Sequence, residues 1–252
     1  MSRIEKNIHQ IYWDFNKTNK DMPNEWKLIS KSWKKNHPTW SYSLWDDKMC
    51  YNLIKNDYPW FLETYKNYKH EIQRCDSVRP FILHKFGGIY ADMDYKCLKP
   101  FDDIFKKKSI YFIESPYSGV TNALFASNKG NKILLDLGKE MIKNKNMKFF
   151  YTRHFYILNS TGPQIFNKIY KKNENNIIKL SYDKFNNCSF CEKKCKIKPN
   201  LYSYSIYSTS WGDLDTHIVN KLWCNKYSIL ILLLLFLFFI IYKSGYYKLI
   251  KY

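Results

Sequence analysis

Residues 75–94 read CDSVRPFILHKFGGIYADMD, and the rest of the chain is best understood outward from them. The part up to Phe86 continues a helical pattern that begins near Tyr65, with Pro80 expected to kink the helix or start it afresh. Gly87-Gly88 suits the left-handed end of that helix, and IYADMDYKCL then has the composition of a strand. Period-two alternation puts Ile89, Ala91 and Met93 on one face and Tyr90, Asp92 and Asp94 on the other. Two carboxylates projecting together repel unless a cation lies between them, and hard divalent ions that take oxygen ligands also bind phosphate oxygens. Asp-x-Asp at a strand end is thus a way to hold Mn²⁺ or Mg²⁺ against a diphosphate, although the same pattern also occurs in solvated loops. Asp76 and Arg79, three apart, share a helix face. The glycine reversal returns the chain beside them, so that Arg79 is placed to clamp a phosphate or sugar hydroxyl and Asp76 to accept hydrogen bonds from sugar hydroxyls. The alternative for the pair is a simple helix ion pair.

Around this centre the chain reads as one α/β domain over residues 1–220. NIHQIYW (7–13) is apolar and β-prone, and 23–36 carries Trp26, Ile29 and Trp33 at helical spacing. TWSYSLWDD alternates Trp40, Tyr42 and Leu44 with polar residues, after which Asp46 and Asp47 end the strand or cap a helix over 48–55. Further helices are expected over 132–143 and 164–170, and a Cys/Lys-rich irregular insertion over about 183–199.

Composition excludes less. The 252 residues are 45% hydrophobic, which rules out wholesale disorder, and 41 Lys plus Arg against 22 Asp plus Glu give +19 with 19% aromatics. Such a chain suits nucleic acid or phosphate-bearing sugars. The basic residues are scattered, with no RRM, KH or zinc-finger pattern, so nucleic acid is not an expected partner, and an AT-rich codon bias accounts for much Lys, Asn, Ile and Tyr.

Seven cysteines exclude complete pairing within the chain; Cys188, Cys191 and Cys195 fit either a metal clip or a local disulfide. MSRIEKNIHQIYWDF is charged and lacks the apolar run of an export signal. By contrast, residues 227–242 read YSILILLLLFLFFIIY, sixteen residues without a charge between Lys226 and Lys243. As a helix this run is roughly 24 Å long, and tyrosines and snorkelling lysines extend it toward the ~30 Å hydrocarbon core. The reading is a single-pass transmembrane helix followed by a short basic tail, 243–252, and lysines on both sides leave its orientation open.

The arrangement D-x-x-R, an apolar run and GG-x-Y-x-D-x-D, carried by Asp76, Arg79, Gly87, Gly88, Tyr90, Asp92 and Asp94, resembles the DXD region of glycosyltransferase family 32. That family includes fungal Golgi mannosyltransferases, some acting on inositol phosphorylceramide, and bacterial capsular sugar transferases. IHQIYW, SWKKNHPTWSYSLWDD, NALFASNKGNKILLDL, STGPQIF and STSW resemble it in the same order, over about residues 4–212.

The resemblance implies a GT-A-type, Rossmann-like nucleotide-sugar-binding fold with the donor at the C-terminal strand ends. It also implies a divalent metal and transfer with retention. Asp92 and Asp94 match the metal and diphosphate aspartates, while Asp76 and Arg79 match positions that hold the donor sugar. Tyr12 falls where the family usually has Trp, so Tyr12 or Trp13 would stack on the base. Asn122 matches a polar position beyond the DXD strand, and Ser210 with Trp211 a Ser-Trp that closes over the diphosphate.

Two departures stand out: Pro80 replaces a common aromatic, and YSYSIYSTSW lacks the histidine usual before Ser-Trp, so a tyrosine, serine or water must take its role. The implied activity is a membrane-anchored hexosyltransferase of Golgi or ER-type membranes. Mannose from GDP-mannose is the first choice of donor, with UDP-sugars the alternative, and the acceptor is a lipid or glycan such as inositol phosphorylceramide. A regulatory membrane subunit would be a further partner. The rivals are a basic membrane-surface or nucleic-acid-binding protein and a catalytically dead scaffold.

Overall fold

A computed structural model describes residues 4–14, 21–117, 119–146, 148–186, 188–192, 195–208 and 211–249, with side chains as far as Ile240. In chain order the elements are β1 (Asn7–Ile11), α1 (Asn24–Asn36), β2 (Ser41–Trp45), α2 (Asp47–Asp57), α3 (Pro59–Lys66), α4 (Glu71–Phe86), β3 (Gly88–Ala91), β4 (Tyr95–Cys97), β5 (Ile110–Ser115), β6 (Gly119–Ser127), α5 (Lys132–Lys143), α6 (Arg153–Ser160), α7 (Pro163–Lys172), β7 (Ile177–Leu180), α8 (Tyr182–Phe185), β8 (Ser203–Ser205), α9 (Leu214–Cys224) and α10 (Lys226–Leu249). The chain divides into two compact units, Met1–Trp211 and Gly212–Tyr252.

The first unit is α/β. Its six-stranded sheet has the order β2-β1-β3-β6-β5-β7, and β4 and β8 form a separate pair. β1 runs parallel to both β2 and β3, β6 is antiparallel to β3 and β5, and β7 is parallel to β5. Apolar residues cover both faces, as expected where strands are sandwiched between helices. Tyr90, Ile110, Phe112 and Phe125 point into one core, with Val78, Phe81 and Leu137. Their strand neighbours Ile89, Ala91, Tyr111, Leu124 and Ala126 point into the other, with Ile29, Trp33 and Phe101.

The turn from α4 into β3 is built by close approach. Gly87 (φ 66°) and Gly88 (φ 99°) both lie in the left-handed region, and a Cβ on Gly88 would stand 2.2 Å from the Asn7 carbonyl oxygen. Asn7 Nδ2 donates to Phe86 O at 2.8 Å, which ties the turn to β1. His9 completes the tie: Trp45 Nε1 donates to its Nδ1 at 3.2 Å, leaving Nε2 as the donor to Gly87 O at 3.1 Å. Burial holds this imidazole neutral, with its pKa down at about 4.

Three sequence expectations change. The helical pattern from Tyr65 divides into α3 and α4, because a capping box closes over His70: the His70 N–H donates to Gln73 Oε1 at 3.1 Å. Pro80 neither starts α4 nor ends it; the helix runs from Glu71 to Phe86 with Pro80 inside. Finally, the strand expected from Ile89 onward stops at Ala91. The Tyr95 N–H donates to Asp92 O at 3.0 Å in a turn, and β4 then leaves the main sheet to pair with β8. The common face of Tyr90, Asp92 and Asp94 therefore does not persist past Asp92.

In the second unit the apolar side chains of α10 from Leu230 to Ile240 are exposed. Among the described residues no single helix is long and apolar enough to cross a membrane. The pair Leu214–Cys224 and Lys226–Ile240, bent by 68°, satisfies that length and composition only when taken together.

Candidate active site

The site lies where β1 and β3 end. Asp92 follows Ala91 directly, and its backbone is held on both sides: its N–H donates to Ala123 O at 2.8 Å, and Gln10 Nε2 donates to its carbonyl at 3.0 Å. Its carboxylate meets Arg79, whose Nη2 lies 3.0 Å from Asp92 Oδ1 and 2.6 Å from Asp76 Oδ1. Arg79 Nη1 donates to Asn122 O at 3.1 Å, and the guanidinium sits 5.0 Å from the Tyr90 ring centre. Tyr90 Oη donates to Asp92 Oδ1 at 2.7 Å. Thr161 Oγ1 approaches Asp76 Oδ2 at 3.5 Å. Asp76 and Arg79 are thus a helix pair, as the spacing allowed, and Arg79 also bridges to the DXD turn. Both of its terminal nitrogens are engaged by protein oxygens, and only the buried Nε lacks a partner.

Asp94 faces a different set of groups. Its Oδ2 accepts from Ser205 Oγ at 3.2 Å and from the Ser208 N–H at 3.1 Å, while Oδ1 is buried with no hydrogen-bond partner among the described residues. Serine therefore occupies the neighbourhood in which a histidine was missed. Ser205 is itself fixed: its N–H donates to Asn186 Oδ1 at 3.1 Å, and its Oγ accepts from the Tyr207 N–H at 2.9 Å. Tyr207 adopts φ 51°, unusual for a side-chain-bearing residue, and its Oη accepts from Asn186 Nδ2 at 2.8 Å. Its hydroxyl in turn donates to Cys188 O at 3.0 Å, linking the site to a loop closed by the Cys188–Cys195 disulfide. The insertion thus carries a disulfide at Cys188.

Arg79 pairs with Asp76 and Asp92 and not with Asp94, so one guanidinium stands against three carboxylates and two negative charges are left over when all are ionised. Burial pushes the Asp76 carboxyl up to about 7 despite Arg79, and Asp92's charge adds to the shift. Burial and then the Asp92 charge push Asp94 up to about 7 as well, and Asp92 is raised by burial. Excess buried negative charge beside an unpartnered carboxylate oxygen fits a divalent cation. Among the described residues no group of three His, Cys, Asp or Glu side chains is placed to hold a metal. Asp92 and Asp94 would supply two ligands, and diphosphate and water oxygens the rest.

Tyr12 and Trp13 follow β1 and border a cavity of about 880 Å³, together with Asp47, Tyr65, Glu71 and Arg74. Arg74 lies 5.9 Å from the Trp13 ring centre. This is the position at the carboxyl ends of parallel strands where open α/β sheets bind nucleotides. Asn122 is buried on β6 and reaches the site through its carbonyl. Trp211 is held by α6: Arg153 Nη1 donates to its carbonyl at 2.7 Å, and His154 stacks on its ring at 5.8 Å. Ser210 lies outside the described residues. Sequence reading missed Gln10, Tyr90, Thr161, Ser205 and Ser208 as site residues. Thr161 and Ser208 lie in STGPQIF and STSW, two of the segments that carry the resemblance, and Ser205 lies in YSYSIYSTSW, the stretch without the histidine.

Residues 23–111, which include the whole of α4 and the DXD turn, match a family described as the glycosyltransferase sugar-binding region containing the DXD motif. The chain is 31% identical over 252 residues to the mannosyl phosphorylinositol ceramide synthase SUR1 of Saccharomyces cerevisiae, covering 95% of the chain and 60% of that protein. It is 32% identical over 226 residues to inositol phosphoceramide mannosyltransferase 3 of Schizosaccharomyces pombe, covering 86% and 58%. The chain thus spans about three fifths of the length of these relatives. Among solved structures, the glycosyltransferase domain of the YGT toxin superposes with a TM-score of 0.55 at 11% identity, over 71% of this chain and 80% of that one. The PaToxG glycosyltransferase does so with a TM-score of 0.52 at 18% identity, over 68% and 69%. These likenesses identify the fold as that of GT-A-like glycosyltransferases. Residues 23–111, with the Asp92–Asp94 turn, thus match the DXD-containing glycosyltransferase sugar-binding region, and over most of its length the chain is similar to the two fungal proteins above.

Proposed function

We propose that the chain is a retaining, metal-dependent hexosyltransferase that moves mannose from GDP-mannose to a membrane lipid, inositol phosphorylceramide being the leading acceptor. One observation carries the reading. A buried carboxylate cluster with an unpartnered oxygen stands at the end of β3, in a chain whose relatives are named as inositol phosphoceramide mannosyltransferases. A divalent ion, Mn²⁺ or Mg²⁺, held by Asp92 and Asp94 would supply charge neutralisation for the departing nucleoside diphosphate. The chain's own residues do the rest. Arg79 fixes the directions of Asp76 and Asp92, and Asp76, at the sugar end, accepts from donor hydroxyls. Tyr12 and Trp13 stack on the base in the cavity, where the Asp47 and Glu71 carboxylates suit the N–H edge of guanine. Trp211, pinned by Arg153 and His154, covers the diphosphate. The acceptor oxygen bonds to the anomeric carbon on the face the diphosphate leaves, the carbon–oxygen bond to phosphate breaks, and the acceptor proton passes to a diphosphate oxygen.

Membrane attachment through α10 and a Golgi or ER lumenal site extend the same reading. The Cys188–Cys195 disulfide favours an oxidising compartment. A regulatory membrane subunit would be a further partner. The test is turnover of GDP-mannose and of UDP-linked galactose, glucose and N-acetylglucosamine with Mn²⁺, by the full chain and by a combined Asp92→Ala, Asp94→Ala variant. Mannose transfer lost in the variant is expected. Metal-dependent turnover that survives both substitutions would sink the site assignment, and consumption of a UDP-sugar instead would favour the alternative donor.

A further inference from the structure

The turn between α5 and α6, with the start of α6, exposes three phenylalanines, whereas the other exposed large apolar side chains of this unit, such as Leu28, Trp60 and Ile197, stand on different elements. Phe149 is 99% exposed, Phe150 61% and Phe155 42%. The segment is not slack: the Tyr151 N–H donates to Lys148 O at 3.0 Å, and Tyr156 Oη donates to Lys145 O at 2.5 Å. Lys148 Nζ lies 5.9 Å from the Phe150 ring centre and 5.7 Å from that of Tyr151, so a cation and two rings form one surface feature. No acidic residue occurs from Met141 to Asn173, whereas Lys143, Lys145, Lys148 and Arg153 lie in and beside the turn. Aromatic rings with flanking cations are the composition that settles at the headgroup level of a bilayer, where each basic residue adds attraction to anionic lipid. An anionic leaflet is favoured as the occupant because the segment that carries the rings holds cations and no acid in its sequence.

The turn is also well placed for the site. α6 starts at Arg153, beside the rings, and Thr161 at its far end contacts Asp76. Eight helical residues span roughly 12 Å.

We propose that Lys148–Tyr151 together with Phe155 forms a membrane-contact surface of the first unit. It seats Phe149 and Phe150 among the headgroups of an anionic leaflet, so that a lipid-borne acceptor meets the Asp76 end of α6. The purpose of the contact rests on the lipid-acceptor reading; the contact itself does not.

The test uses the full chain carrying Phe149→Cys labelled with an environment-sensitive fluorophore. Selective labelling is feasible, since the native cysteines are buried or in disulfides. The label reads the environment of residue 149 alone, however the rest of the chain binds. With phosphatidylserine-containing vesicles the emission should shift to the blue and be quenched by spin-labelled lipid, far more than with phosphatidylcholine alone. Adding Lys148→Ala should weaken the response about fivefold, the factor that one surface charge near an anionic leaflet confers. Water-like emission on the anionic vesicles, or equal responses on the two vesicle types, overturns the proposal. Neither outcome depends on whether any sugar is transferred, so a failed activity reading remains distinguishable.

Discussion

Asp94→Asn should make the metal-free protein more stable, and increasingly so as the pH rises. In the unfolded chain the Asp94 carboxyl ionises near its ordinary 3.8, whereas in the folded site burial and the Asp92 charge hold it at about 7. Between those values the folded state binds the extra proton. The contribution of this group to stability is therefore fully present below 3.8 and is lost as the pH climbs through 7. From pH 5 to pH 8 about two pH units of that window remain, worth ~3 kcal/mol at 1.36 kcal/mol per unit. Asparagine keeps an oxygen for the Ser205 hydroxyl and the Ser208 N–H but carries no charge, so its own packing cost is the same at both pH values. The gap in melting temperature between variant and parent, measured in EDTA, should thus move in the variant's favour between pH 5 and pH 8, by roughly 6–12 °C for a unit of this size. Mn²⁺ with GDP should shrink the variant's advantage at pH 8, because the parent gains ~2.7 kcal/mol at a hundredfold excess over Kd and the variant has lost a ligand. A variant–parent gap that is the same at both pH values, or that narrows as pH rises, would refute the charge-excess argument on which the metal assignment stands.

Two further outcomes follow from the geometry. Gly88→Ala should cost about 3 kcal/mol, read as a lower melting temperature, because the new methyl meets Asn7 O at 2.2 Å with φ at 99°; a neutral result would contradict the close approach that fixes β3 to β1. Tyr12→Ala and Trp13→Ala should each weaken GDP binding by ~1–3 kcal/mol in calorimetry, the usual worth of one base–aromatic stack, and unchanged affinity in both would remove the base from the cavity beside β1.

What was legible in the sequence was local. α1, β2, α2 and α5 lie within a few residues of their expected positions, since each is an amphipathic period bounded by a cap or a turn residue: Asp46 does accept from the Met49 N–H, at 2.7 Å, and Asn131 caps α5. The D-x-x-R pair was legible for the same reason, two residues spaced three apart on one helix face. What failed was each inference that needed to know a distant partner. Alternation through Tyr95 and Cys97 continues unbroken in the sequence because both are buried, yet they are buried against β8 in another sheet, and a period of two carries no label for the sheet it serves. That change of sheet forces the turn at Asp92–Asp94, and the turn is what separates the two carboxylates into an Arg79-bound one and a serine-bound one. The partners of Asp94 lie 111 and 114 residues away, and Thr161 lies 85 residues from Asp76, beyond any local rule. The missing histidine was therefore a weaker sign of lost function than spacing alone implied. The Ser205 hydroxyl and the Ser208 amide bind one oxygen of Asp94, while its other oxygen has no hydrogen-bond partner among the described residues, so that the carboxylate is oriented without any imidazole.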